Sequence, residues 1–137
     1  MEYSKERMGD LMRAYDEYIS SCDYIRMSEV YKIIVNMPSR RFWVSDIRAA
    51  LIISAMMRGK TDLSTMCPLK KEMYEEIYNR VFKLQEECPE LTISELCAKV
   101  IAQPAPKFYL TPGSAKVMVC KARKQWIQEK WKRLRLL

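Results

Sequence analysis

Two arginines stand beside two aromatic rings in Ser39-Arg40-Arg41-Phe42-Trp43, and a lysine stands beside two more in Pro106-Lys107-Phe108-Tyr109. Guanidinium and ammonium groups neutralise phosphates, while rings stack on exposed bases or lie against sugars. The combination is therefore chemistry suited to nucleic acid. Each stacked base is worth about 1–3 kcal/mol when unpaired. Arg40, Arg41, Trp43, Lys107 and Tyr109 are the resulting candidates. Phe42 and Phe108 fit better as core plugs that seat each segment against its own helices. A folding role also competes for the others: either side of the segment can bury Trp43 and Tyr109, and Arg40 and Arg41 can serve as helix-end partners.

A second basic set ends the sequence. Lys116, Lys121, Arg123, Lys124, Lys130, Lys132, Arg133 and Arg135 are interleaved with Trp126, Ile127, Trp131 and Leu134. Cations in that density can follow a phosphate backbone and make binding strongly salt-dependent. The two tryptophans are explained at least cost as docking against the domain or against a second subunit.

The two aromatic segments belong to a repeat with an offset of 66 residues. Ser28-Glu29-Val30, Pro38, Arg41-Phe42-Trp43-Val44-Ser45 and Ala49 are matched by Ser94-Glu95-Leu96, Pro104, Lys107-Phe108-Tyr109-Leu110-Thr111 and Ala115. The match runs without a gap, and most exchanges keep their chemistry.

Periodicity then supplies the elements that must hold these residues. A first helix is predicted over 5–20, where Met8, Leu11, Met12, Tyr15, Tyr18 and Ile19 recur at three- and four-residue steps. A second begins near Ser28, carries Val30, Ile33, Ile34 and Met37, and ends at Pro38. Residues 39–44 connect it to a third helix capped by Ser45, with Ile47, Leu51, Ile52, Ala55 and Met56 as its apolar residues and Gly59 as its stop. Residues 60–66 link the halves. Pro68 opens a fourth helix on Met73, Ile77, Val81 and Leu84, ending before Pro89. Thr92 and Glu95 have capping-box spacing, which starts a fifth helix near Ser94, and Pro104 and Pro106 end it. Thr111 and Pro112 open the last helix, over 112–134.

The fold expectation is all-α: about six helices, arranged as two similar three-helix units packed into one compact domain, with a long C-terminal helix. The domain is 1–137, with a first half over 1–60 and a second over 67–137. Each helix–connector–helix resembles a helix-turn-helix unit, which implies a second helix entering the major groove and puts Arg48 and Lys116 early in that helix. Asp46 opposes close phosphate approach there, and the connectors exceed the three or four residues usual in that motif.

Composition narrows the classes. At 137 residues the chain suits one domain with a useful core, and three glycines disfavour a turn-rich sheet. The net charge of +7 is unevenly spread: −2 over 1–36, +4 over 37–60, −4 over 61–95 and +9 over 96–137. Such alternation gives a polar field suited to a polyanion or an acidic protein. Five scattered cysteines and no histidine offer no CxxC pair and no common zinc set, so free thiols in a reducing compartment are expected. No apolar run reaches the roughly 18 residues of a membrane span, and the start carries no signal-like apolar core. The expected setting is cytoplasmic, without membrane insertion.

An enzyme is disfavoured. The chain lacks histidine, a nucleophile elbow, a P-loop and a dinucleotide loop. Glu72, Glu75 and Glu76 read as solvated helix charge, with no catalytic residue, metal or cofactor expected. The leading expectation is a non-catalytic nucleic-acid-binding protein that recognises double-stranded DNA through its basic junctions and helix ends, with RNA as the other candidate. The alternative is a structural or adaptor protein that self-assembles as a homodimer, or binds an acidic protein, through its C-terminal helix.

Overall fold

The computed structural model describes residues 2–59 and 66–136, so all of the predicted 60–66 link except Met66 lies outside the described residues. Six helices follow one another: α1 (Glu2–Ser21), α2 (Met27–Ile34), α3 (Asp46–Met57), α4 (Pro68–Glu87), α5 (Ile93–Ile101) and α6 (Pro112–Arg135). No strand forms among the described residues, and the only extended pairing there is a single bridge between Ser39 and Ala105. The all-α expectation holds.

Local chemistry sets the boundaries. Ser45, Thr92 and Thr111 each accept, through the side-chain oxygen, a hydrogen bond from the N–H three residues on. Each thereby satisfies a donor that has no partner inside its own helix. Gly59 adopts φ 68 just past α3, a conformation that costs a glycine little. α2 stops earlier than Pro38 requires. Asn36 and Met37 turn back to the carbonyls of Ile33 and Ile34, tightening the chain before the proline.

The six helices sort into two compact units that cut across the sequence halves. One comprises Met1–Met37 with Leu110–Leu137, and so contains α1, α2 and α6. The other is Pro38–Tyr109, containing α3, α4 and α5. Each unit takes two consecutive helices from one half and its third helix from the other half.

In the 38–109 unit the core is built from Met73, Tyr74, Ile77 and Val81 of α4, Leu96, Cys97, Val100 and Ile101 of α5, and Ala49 and Ile53 of α3. The apolar residues that mark α3 in the sequence do not all face inward: Ile47 and Leu51 are exposed, and Ala49 and Ile53 are buried. Nearly every position of α3 is apolar, so packing rather than periodicity chooses its inner face. In the other unit, Leu11, Ala14 and Tyr15 of α1, Val30, Tyr31 and Ile34 of α2, and Ala115 and Val119 of α6 are buried. Asp10 is also buried there, and receives two hydrogen bonds from Arg13, at 3.0 and 2.7 Å.

Candidate nucleic-acid interface

Within the 38–109 unit the two aromatic connectors are joined to each other. Ser39 and Ala105, positions related by the repeat offset, exchange backbone hydrogen bonds of 3.1 and 3.0 Å. The Ser39 hydroxyl is buried, and shares its single proton between the carbonyls of Arg41, at 2.8 Å, and Lys107, at 3.3 Å. Phe42 donates its N–H to the carbonyl of Ile101 at 3.0 Å, and its ring fills the core. Phe108 is buried as well. Both phenylalanines are therefore the plugs their positions suggested.

Several candidate contact residues are engaged in this junction. Arg41 is half-buried. Its guanidinium donates to the carbonyls of Phe42 and Val44, at 3.2 and 3.3 Å, and lies 5.3 Å from the centre of the Trp43 ring. Lys107 forms a 2.6 Å ion pair with Glu72 and lies 5.5 Å from the Tyr109 ring. Tyr109 stacks on Phe42 with ring centres 6.1 Å apart, and adopts φ 56, a left-handed backbone uncommon for a bulky residue. Burial, with Glu76 and Glu72 nearby and Arg80 opposing them, pushes its phenol up to about 12. Trp43 is half-buried, while Arg40 and Arg48 are exposed.

A residue not singled out in the sequence holds this junction together. Arg80 of α4 forms a 2.9 Å ion pair with Glu76, donates to the carbonyl of Pro104 at 2.9 Å and to Gln103 at 3.3 Å, and lies 4.9 Å from the Phe42 ring centre. Its four-residue spacing from Glu76 was the available signal. Glu72 and Glu76, read as solvated charge, are the anions of this network.

The remaining candidates lie on α6. Lys116, Lys121, Arg123, Lys124, Lys130, Lys132, Arg133 and Arg135 are all exposed, and the helix carries one acid, Glu129. These eight cations against one carboxylate equal the net charge of the whole chain, +7. Among the described residues no carboxylate pairs with any of them. Arg123 meets the hydroxyl of Tyr15 at 3.4 Å.

Only the first half of α6 has an inner face, through Ala115 and Val119. From Arg123 onward every residue of the helix is exposed, including Trp126 at 62% and Trp131 at 60%. Docking of the tryptophans against their own domain, one of the two least-cost expectations, is therefore not what the fold does. At 3.6 residues per turn, Lys121, Lys124, Gln125, Gln128, Lys132 and Arg135 fall in one sector about 100° wide. Trp126, Ile127, Trp131 and Leu134 fall in another sector about 140° wide, on the other side. The terminal helix is thus two-faced, with one purely polar and cationic side.

No helix among the described residues is long and apolar enough to cross a membrane, and none of their His, Cys, Asp and Glu side chains cluster as a metal site. No family model, no curated protein and no solved structure matches this chain.

Proposed function

We propose that the protein binds nucleic acid without catalysing a reaction, and that duplex DNA is its preferred form. The polar sector of α6 makes the main contact. The observation that carries this reading is the exposed row of Lys121, Lys124, Lys132 and Arg135 on one side of a helix whose distal half is uncovered. A straight α-helix fits the major groove of B-DNA, and cations along one side of it reach the flanking phosphates. Gln125 and Gln128 lie between those cations, and a glutamine amide can pair with an adenine edge.

The junction has a supporting role. Arg41, Lys107 and Tyr109 spend their polar and aromatic groups on ordering the 38–109 unit. Arg40 and Arg48 are the exposed cations of that unit's candidate set, and add phosphate contacts of their own. Affinity comes mostly from the nucleic-acid backbone, which predicts steep salt dependence.

A titration of the full chain against short duplex DNA, single strands and RNA at several salt concentrations tests this. The duplex is expected to bind most tightly. A chain ending after Lys124 should bind more weakly than the parent, and Arg40→Ala with Arg41→Ala should produce a smaller loss. Absence of binding to every nucleic acid at low salt would overturn the proposal.

A further inference from the structure

We propose that the apolar sector of the distal half of α6 docks an acidic amphipathic helix of a partner protein, seating one of that helix's apolar side chains between α1 and α6. This goes beyond the nucleic-acid reading and uses the opposite side of the helix.

The surface begins at a groove of about 560 Å³ lined by Met12, Tyr15 and Asp16 of α1 and by Ala122, Arg123, Trp126 and Ile127 of α6. It continues along Ile127, Trp131 and Leu134, all exposed. Two open tryptophans with an isoleucine and a leucine on one sector are the kind of patch that marks a docking surface rather than scattered surface apolarity. Tryptophan is also the side chain most often responsible for binding energy at such surfaces. From Arg123 to Arg135 the free half spans about 20 Å at 1.5 Å per residue, room for three to four turns of a partner helix.

Charge selects the occupant. Arg123 and Lys130 project within the apolar sector, Lys130 5.1 Å from the centre of the Trp126 ring, and Arg133, Lys124 and Arg135 lie along its borders. A second copy laid sector to sector would press these cations against their own equivalents, which costs free energy in proportion as water is excluded. A partner carrying Glu or Asp beside its apolar residues meets the same cations favourably. Asp16 is the carboxylate on the groove wall, so the groove itself takes an apolar side chain and the partner's acids fall along Arg123, Lys130 and Arg133. A lipid surface fits less well, because an interfacial helix keeps its cations on the face away from its apolar side.

The probe is a synthetic fluorescent helical peptide with leucines on one side and glutamates on the other, titrated into the full chain by anisotropy. A scrambled peptide of equal composition but no apolar side serves as control. Saturable binding about tenfold tighter than to the scrambled peptide is expected, as is about a tenfold loss with Ile127→Ser plus Leu134→Ser. The same double variant should keep its duplex-DNA affinity, which separates failure here from failure of the nucleic-acid reading. Circular dichroism checks its fold, and Trp126→Ala provides an independent variant. Equal affinity for both peptides would overturn the proposal. So would a dimer of the parent chain that the double variant dissolves, or binding to anionic phospholipid vesicles that the double variant abolishes while the peptide fails to bind.

Discussion

At the scale of single residues, the junction shows how basic and aromatic side chains that look like ligand contacts can be consumed by folding. Arg80 makes an ion pair, a carbonyl bond and a ring contact at once, whereas Lys107 has a half-exposed ion-pair partner in Glu72 and the Tyr109 ring, with no carbonyl bond to its ammonium among the described residues. Replacing Arg80 with Ala is expected to lower unfolding free energy by about 2 kcal/mol, and Lys107→Ala by less than about 1 kcal/mol, in urea titrations. Tyr109 provides a test by pH. Its phenol is raised from 10.0 to about 12 in the folded chain, so the folded state favours the protonated ring more than the unfolded chain does. That contribution is whole below about pH 10 and is lost as pH rises towards 12. Tyr109→Phe, which cannot ionise, should lose less stability than the parent between those two values in parallel denaturant titrations.

At the scale of elements, what the sequence revealed depended on contrast. α4 has clear alternation between apolar and charged positions, and the predicted Met73, Ile77 and Val81 are all buried. Caps at Ser45, Thr92 and Thr111 were legible because a hydroxyl at the first position of a helix has one main use. α3 is not legible in this way: with few polar residues no face stands out, and Leu51 is 66% exposed while Ile53 is fully buried. Ile53→Ala should therefore cost about 2–5 kcal/mol, while Leu51→Ser should stay within about 0.5 kcal/mol, by thermal or urea unfolding. The candidate binding residues divided in the same manner. That α6 carries cations was plain from composition, but its separation into a polar and an apolar side needed the helix to be continuous through Arg135. The occupation of Arg41 and Lys107 depended on carbonyls and carboxylates that local pattern does not reveal.

At the scale of the whole molecule, several positions 66 residues apart are buried alike, while the helices of each half are divided between the two units. Val30 and Leu96, Phe42 and Phe108, Ala49 and Ala115, and Ile53 and Val119 are pairs at the repeat offset, and all are buried. The third helix of each half nevertheless belongs to the unit that holds the other half's first two helices. Within the 38–109 unit, α3 precedes the 60–65 segment and α4 and α5 follow it. A chain nicked within that segment should therefore keep its two fragments together through gel filtration, and separate them only in denaturant. Fragments that part under native conditions would contradict this assignment of helices to units.

The exposed charge of α6 supports the central claim, since a row of exposed cations on an uncovered helix is suited to a polyanion. The most direct test replaces Lys121, Lys124, Lys132 and Arg135 together with Gln and measures duplex-DNA affinity against salt for parent and variant. If these four side chains meet phosphates, the slope of log affinity against log salt should become shallower by about 0.9 for each phosphate left unneutralised, roughly 3 to 4 in all. An unchanged slope, or a parent chain that does not bind the duplex at low salt, would contradict it.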